Sequence, residues 1–136
     1  MLKPQQSFEQ IMADLKKKIY HPIYFLSGEE PYFIDKISDF IIQNVLTEEE
    51  KSFNQTILYG KDSDAATISN AAKRFPMMAN QQVVVVKEAQ DIKDFDLLIH
   101  YISNPQPSTI LVLAYKYKTL DKRTKIYKAL NEKALY

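Results

Sequence analysis

The chain has 136 residues, the length of one typical domain, with 46% hydrophobic residues, 26% charged residues and a formal net charge of +1. The absence of cysteine excludes disulfides and cysteine-ligated metals, and two histidines are too few to indicate a metal centre. No apolar run reaches the roughly 18 residues of a membrane span, and the N-terminus does not resemble a signal peptide. We therefore expect a cytoplasmic globular protein without a metal or cofactor.

The apolar pattern predicts a helix at residues 7–19, followed by a strand–helix unit that occurs four times. Strands are predicted at residues 23–27, 54–60, 81–89 and 109–115. The helices that follow them are predicted from Pro31 to about Leu46, from the polar caps at 61–64 to Pro76, at 94–103 and at 120–130. The segment TEEEKSF, residues 47–53, is predicted to be a polar connection.

The alternation of apolar strands with helices predicts an α/β fold, in which a parallel sheet is covered by helices on both faces. Four consecutive valines, Val83–Val86, favour a strand that is buried on both sides. We expect one domain over residues 1–136. Residues 134–136 resemble the beginning of a fifth strand, so we expect a chain that is cut near a domain boundary.

The segment around Gly28 has the layout of a phosphate-binding loop, in which a strand, a glycine turn and a helix N-terminus follow one another. A working loop reads G-x-x-x-x-G-K-[ST]. Counted from Gly28, the second glycine is replaced by Phe33, the lysine by Ile34 and the hydroxyl residue by Asp35. Phe33 blocks the close approach of a phosphate, and Ile34 brings no charge. We expect a degenerate loop that binds no nucleotide and uses Phe33 and Ile34 for packing.

The second element of a P-loop ATPase, a pair of acids after an apolar strand, is also altered. The strand ends here in Lys87-Glu88, so a lysine replaces the acid that orders magnesium. Glu29 and Glu30 also place two carboxylates where an anion would bind. A receiver-type signalling domain needs an aspartate at the position of Lys87 and is disfavoured for that reason. An active P-loop ATPase with a divergent loop is kept as the alternative.

Three segments carry a family resemblance: YFLSGEEPYFIDK, FPMMANQQVVVVKEAQ and STILVLAYKYKTLDKRTKIYKAL. In this order and spacing they resemble the N-terminal domain of the delta subunit of bacterial DNA polymerase III, from about His21 to Leu130. The resemblance implies a three-layer AAA+ Rossmann-like P-loop fold that binds no ATP at its own site. It implies a domain without catalytic residues that serves a DNA-directed DNA polymerase, and a longer subunit whose lid and collar domains are absent here.

The resemblance also implies a role in DNA replication. Delta subunits bind the sliding clamp, which is the beta subunit, and help to open it for loading onto primed DNA. They act within a clamp loader together with gamma/tau and delta prime subunits. We therefore expect these proteins as partners, with primed DNA reached indirectly and no membrane contact.

The segment KRFPMMANQQ lies where that family carries exposed apolar residues that enter a pocket of the clamp. By helical spacing alone, Phe75 continues the apolar stripe of the preceding helix and is expected in the core. Met77 and Met78 lie beyond Pro76, where a regular helix face does not explain them. The resemblance implies that Phe75, Pro76, Met77 and Met78 contact the clamp.

The C-terminal segment is basic, because residues 115–133 contain seven lysines or arginines and two acidic residues. Interleaved lysines and tyrosines also occur in segments that bind nucleic acid. The spacing favours a solvated helix face, with Ile126, Tyr127 and Leu130 turned inward. The candidates for contacts with the DNA backbone within a clamp loader are Lys122, Arg123 and Lys125.

Overall fold

The computed structural model describes residues 7–133, in which four parallel strands form one sheet with the order β1-β4-β3-β2. The strands are β1 (Ile23–Gly28), β2 (Gln55–Tyr59), β3 (Gln82–Lys87) and β4 (Thr109–Lys116). Residues 134–136, where the sequence suggests a fifth strand, lie outside the described residues. The parallel sheet confirms the predicted fold class.

Helices cover both faces of this sheet. They are α1 (Phe8–Lys16), α2 (Pro31–Asn44), α3 (Glu48–Asn54), α4 (Ala65–Ala72), α5 (Ile99–Ile102) and α6 (Lys125–Lys133). The apolar residues of α1 and α2 pack on one face, and those of α4, α5 and α6 pack on the other. Within residues 7–133, no helix combines the length and the apolar character needed to cross a bilayer.

The central strands β3 and β4 are buried on both faces. Val83 and Val85 belong to the cluster with α1 and α2, whereas Val84 and Val86 belong to the cluster on the opposite face. All four valines are 0% exposed. Each buried valine side chain contributes roughly 1.5–3 kcal/mol to the apolar driving force. The run of valines therefore indicates a strand that is covered by helices on both faces of the sheet.

Helix α3 occupies most of the segment that the sequence predicts as a polar connection, so that prediction is wrong. The Thr47 hydroxyl accepts a hydrogen bond from the Glu50 N–H at 3.2 Å, and a Glu50 carboxylate oxygen accepts from the Thr47 N–H at 2.9 Å. This capping box begins a helix that has no apolar stripe. Its last residue, Asn54, is buried.

Four helices are shorter than predicted. Helix α1 ends at Lys16 instead of residue 19, and α4 ends at Ala72 instead of reaching Pro76. Residues 94–103 form a 3-10 turn, Phe95–Leu98, followed by the single α-helical turn of α5. Helix α6 begins at Lys125, because the Thr124 hydroxyl accepts from the Tyr127 N–H at 3.2 Å and caps the helix. The segment 120–124 is therefore a turn that precedes the helix.

Because all strands run parallel, the sheet has a carboxyl edge and an amino edge, each with its own set of loops. The carboxyl edge carries Gly28, Glu88 and Lys116, which lie at or just after strand ends. The amino edge carries residues 73–81, which join α4 to β3. The degenerate phosphate loop and the FPMM segment therefore lie at opposite edges.

Candidate functional sites at the two edges of the sheet

At the carboxyl edge, the N-terminus of α2 is capped by the chain itself. Glu30 is the N-cap of this helix, and its Oε1 accepts a hydrogen bond from the Tyr32 N–H at 3.0 Å. Gly28 has a φ of +144°, a conformation that favours glycine. The turn of a phosphate loop is therefore kept. A carboxylate of the chain already accepts from the helix amide that would face a phosphate.

The residues at the second glycine and lysine positions pack against the protein. Ile34 is 4% exposed and lies in the apolar cluster between α1, α2 and the sheet. The Phe33 ring centroid lies 4.9 Å from that of Phe8 and 5.2 Å from that of Tyr32, yet Phe33 remains 45% exposed. Ile34 therefore packs as predicted, whereas Phe33 packs only in part.

Asp35, at the hydroxyl position, forms an ion pair with the last residue of β4. Its Oδ1 lies 2.8 Å from Lys116 Nζ, and the same ammonium lies 3.1 Å from Glu88 Oε2. Gln90 Nε2 donates to Glu88 Oε1 at 2.8 Å, and Gln90 Oε1 accepts from the Lys116 N–H at 2.9 Å. A lysine of the chain thus pairs with Asp35, at the hydroxyl position of the loop, and with Glu88, which follows the position of the magnesium-ordering acid.

The hydrogen bonds around Lys116 and Glu88 favour the charged form of each side chain. Burial pushes the pKa of Lys116 down, but its hydrogen bonds to Asp35 and Glu88 outweigh that effect and hold the pKa above its ordinary value. The hydrogen bond from Gln90 holds the pKa of Glu88 below its ordinary value, and Lys116 lowers it further. The Lys116–Glu88 pair is therefore fully charged at neutral pH.

A cavity of about 360 Å³ opens beside the ion pair. Its lining residues are Asp35, Ser38, Asp39, Tyr59, Lys87, Glu88, Ala114 and Lys116. Three carboxylates face two ammonium groups there, so the lining carries a net negative charge that disfavours a triphosphate. Among the described residues, His, Cys, Asp and Glu form no group of three or more that is arranged to hold a metal ion. The residues at this edge do not fit a magnesium nucleotide.

At the amino edge, residues 73–81, here called the 73–81 loop, present apolar side chains to solvent. Phe75 is 78% exposed, Met77 59% and Met78 98%. Because α4 ends at Ala72, Phe75 lies outside the helix, and the core position predicted from the apolar stripe is wrong. Pro76 lies between these residues with intermediate exposure. Three large apolar side chains are therefore displayed within four consecutive residues.

The end of α4 is held by polar side chains from other parts of the chain. Gln82 Nε2 lies 3.1 Å from the Ala72 carbonyl oxygen and 2.6 Å from that of Arg74. The Thr109 hydroxyl donates to the Ala72 carbonyl oxygen, and Gln106 Nε2 donates to that of Arg74, both at 2.6 Å. These contacts supply partners for carbonyl groups that a helix end leaves without intrahelical donors. The helix can then end at Ala72, so that Phe75 lies outside it.

Asn54 holds the middle of the 73–81 loop. Its Nδ2 donates to the Met77 carbonyl oxygen at 2.8 Å, and its Oδ1 accepts from the Met77 N–H at 2.6 Å. Nδ2 also lies 3.0 Å from the Glu50 carbonyl oxygen in α3, and Asn54 is 3% exposed. The side chain therefore pairs with the backbone of Met77 in the way that a neighbouring strand would.

Three residues of these two sites are not singled out by sequence reasoning: Asn54, Gln82 and Lys116. Their partners are remote along the chain, so no spacing rule connects them. The one available signal is their position, because each stands directly at a strand end. Polar residues at the ends of apolar strands therefore mark candidates for such contacts.

The basic residues of the C-terminal segment lie on the surface. Lys122, Arg123 and Lys125 are exposed, the first two in the turn before α6 and the third at its first position. Arg123 forms an ion pair with Asp121 at 2.8 Å within the same turn. Underneath, Ile126 and Leu130 are buried as predicted, whereas Tyr127 is only partly buried. The structure brings these cations together on one exposed turn, separate from the 73–81 loop in sequence.

Comparison with known proteins identifies the family. The family model described as DNA polymerase III, delta subunit, matches residues 24–136. The chain belongs to this family. A curated relative, DNA polymerase III subunit delta of Bacillus subtilis, is 31% identical over 134 residues, which cover 91% of this chain and 39% of the relative. The family resemblance read from the three sequence segments is thereby confirmed.

Solved structures of related proteins agree with this assignment. The Bacillus subtilis DNA clamp loader delta protein YqeN matches with a TM-score of 0.81 and 30% identity, over 95% of this chain and 41% of that chain. A gamma subunit-related protein of DNA polymerase III from Thermotoga maritima matches with a TM-score of 0.64 and 12% identity, over 96% and 46% of the two chains, which shows the fold alone. The fold is AAA+-like, as predicted. The chain spans about two-fifths of the length of the delta relatives it matches.

Proposed function

We propose that this chain is the N-terminal AAA+-like module of a longer clamp-loader delta subunit. In this proposal it binds the sliding clamp during DNA replication and helps to open it, without binding ATP itself. The observation that carries the proposal is the display of Phe75, Met77 and Met78 on the 73–81 loop. Adjacent exposed apolar side chains on a soluble domain are typical of a surface for a protein partner.

The chemistry of the loop suits insertion into an apolar pocket. Burial of a methionine side chain contributes roughly 1.5–3 kcal/mol, and the flexible thioether adapts to an irregular surface. A binder of this kind opens a ring only if it binds the open form more tightly than the closed form. The proposed action is therefore mechanical: the 73–81 loop binds the clamp more tightly when the interface of the ring is open.

The alternative, an active P-loop ATPase, is disfavoured by the residues of the carboxyl edge. Ile34 replaces the phosphate-binding lysine and is buried. Glu30 caps the helix that would face the phosphate, and Lys116 pairs with Asp35 and Glu88. In the proposed arrangement, ATP-dependent steps belong to other clamp-loader subunits, gamma/tau and delta prime, and this chain contributes no catalytic residue.

The candidates for contacts with primed DNA lie in the C-terminal segment. Lys122, Arg123 and Lys125 form an exposed basic turn that suits a phosphate backbone. Arg123 is already paired with Asp121, which reduces the charge it offers. We therefore propose that DNA is reached indirectly, through the assembled clamp loader in the cytoplasm.

The test is binding of the chain to the sliding clamp of the same organism, measured by surface plasmon resonance with and without ATP. We expect the double variant Met77→Ala/Met78→Ala to lose at least about 100-fold in affinity, and ATP to have no effect. Leu97→Ala is the matched control, because Leu97 is also exposed, at 55%, but lies on the 3-10 turn Phe95–Leu98. Absence of wild-type binding, together with a calorimetric signal for ATP, would favour the ATPase alternative.

A further inference from the structure

Asn54 makes a contact with the 73–81 loop that the family resemblance does not explain. The side chain is buried, and it satisfies both the N–H and the carbonyl oxygen of Met77. A residue that pairs with both polar groups of another residue fixes the orientation of that stretch of backbone. The orientation of Met77 in turn decides where the side chains of Met77 and Met78 point.

We infer that Asn54 is a positioning residue for the partner contact, which presents Met77 and Met78 in a fixed arrangement before any partner binds. The inference rests on the proposed function. It assigns to α3, through its last residue, a role in presenting the loop. Asn54 itself lies beneath the surface and is not assigned a direct contact with the partner.

The conformation of Met78 supports this inference. Its φ of +57° lies in the left-handed region, which has an energetic cost for a residue with a side chain. Such a conformation persists only where the surrounding structure determines it. The side chain of Met78 is 98% exposed, so it makes almost no contact that offsets this cost. Among the contacts of the described residues, the hydrogen bonds between Asn54 and the preceding Met77 are the nearest along the chain to this point.

A preordered loop binds more tightly than a mobile one, because the ordering cost is met when the chain folds. Immobilising an interface side chain costs about 0.5–1.5 kcal/mol. Two methionines that must be ordered during binding would therefore weaken the affinity by about tenfold or more. Removal of the Asn54 amide should produce this loss without removing any atom that touches the partner.

The first test needs no variant. Hydrogen exchange of the wild-type chain, followed by NMR, should show a protected Met77 amide beside a rapidly exchanging Met78 amide, because only the Met77 N–H meets Asn54 Oδ1 among the described contacts of these two residues. Equal and rapid exchange of both amides would overturn the inference, whatever the outcome of the binding experiments.

The second test compares Asn54→Ala with wild type in binding to the clamp. We expect a loss of about tenfold or more in affinity, loss of protection at Met77, and retained protection of the β3 amides. Ile126→Val, a mild core substitution in α6, controls for a general loss of stability and should leave the affinity unchanged. Asn54→Ser is the replacement if the alanine variant does not fold.

A purely structural role of Asn54 predicts a different result in a double-mutant cycle with Met78→Ala. If Asn54 acts through the methionines, Asn54→Ala costs less affinity in the Met78→Ala background than in wild type. Equal costs in both backgrounds would overturn the inference. If Met77→Ala/Met78→Ala leaves clamp binding intact, the proposed function fails instead, and the two outcomes are distinguishable.

Discussion

The ammonium nitrogen of Lys116 lies 2.8 Å from a carboxylate oxygen of Asp35, and this ion pair joins the end of β4 to α2. A second contact, at 3.1 Å, joins the same nitrogen to Glu88 after β3. In a working P-loop site, groups at corresponding positions face magnesium and a nucleotide. Here they face a side chain of the same chain, so three elements are tied together by internal charge pairing.

Replacement of Lys116 should weaken the fold. Lys116→Met keeps the length of the side chain but leaves Asp35 and Glu88 facing each other without a cation. Because both carboxylates are partly exposed, we expect a loss of about 1–2 kcal/mol in the free energy of unfolding at neutral pH, measured by urea denaturation. Lys87→Met, a change at the same cavity without a described ion pair, is the control and should cost less.

The contribution of the Lys116–Glu88 ion pair to the free energy of unfolding should depend on pH. The pKa of Glu88 is lowered from its ordinary value of 4.5 by the hydrogen bond from Gln90 and by Lys116, so the unfolded chain takes up this proton first as the pH falls. The stabilisation is present above pH 4.5 and is lost as the pH falls through the lower, folded pKa.

On the alkaline side, the pKa of Lys116 is raised from 10.5, so its contribution is present below pH 10.5 and is lost as the pH rises through the folded pKa. We therefore expect the difference in unfolding free energy between wild type and Lys116→Met to be largest near neutral pH. It should shrink as the pH falls below 4.5 and through the lower, folded pKa of Glu88. A difference that stays constant over this range would contradict the role of the ion pair.

Restoring one residue of the phosphate loop should not restore a nucleotide site. Ile34→Lys places an ammonium group at a position that is 4% exposed, between α1 and the sheet. We expect a loss of about 2–4 kcal/mol in unfolding free energy, because apolar packing is lost and a charge is buried. Calorimetry should detect no ATP binding, since Glu30 and Lys116 are unchanged. Ile34→Leu controls for the change of shape and should cost less than about 1.5 kcal/mol.

Met78 should be dispensable for stability. Met78→Gly removes a side chain that is 98% exposed and relieves a φ of +57°. The relief is offset by the greater freedom of glycine in the unfolded chain, so the free energy of unfolding should stay unchanged or rise by up to about 1 kcal/mol. Met77→Gly, at a residue without positive φ, should lower it by about 1 kcal/mol. Thermal or urea unfolding of the two variants measures this contrast.

Gln82 should contribute strongly to the stability of the amino edge. Gln82→Leu removes the amide that donates to the carbonyl groups at the end of α4, and the residue is 5% exposed. We expect a loss of about 2–3 kcal/mol in unfolding free energy, because buried carbonyl oxygens lose a donor. Gln81→Leu is the matched control. The Oε1 of Gln81 has no hydrogen-bond partner among the described residues, so its removal should be neutral or slightly stabilising.

The sequence predicts the fold well because its strands are strongly apolar. The apolar side chains of β3 and β4 can all be buried only if helices cover both faces of the sheet. The alternation of strands with helices then predicts a parallel sheet. Apolar periodicity does not predict helix α3, because this helix has no apolar stripe. Its signal is the capping box of Thr47 and Glu50, a local pattern that periodicity does not detect.

The sites are less predictable because their contacts join distant parts of the chain. Phe75 continues a helical stripe, but the helix ends earlier. Gln82, Gln106 and Thr109 donate hydrogen bonds to the backbone carbonyl oxygens at this end. Likewise, Ile34 and Lys87 show in the sequence which residue types of a P-loop site are replaced, whereas the lysine that pairs with Asp35 and Glu88 lies on β4. Sequence spacing indicates which residue types of a P-loop site are replaced, but the fold determines which of the remaining side chains are in contact.

The two edges of the sheet are separated by the length of β3, which is six residues or about 20 Å. The central strands β3 and β4 are buried and close-packed along this length. An event at one edge would have to act across the full length of these strands to reach the other. If access to the methionines is controlled, the control is a matter of occlusion: another molecule covers the loop or moves away from it.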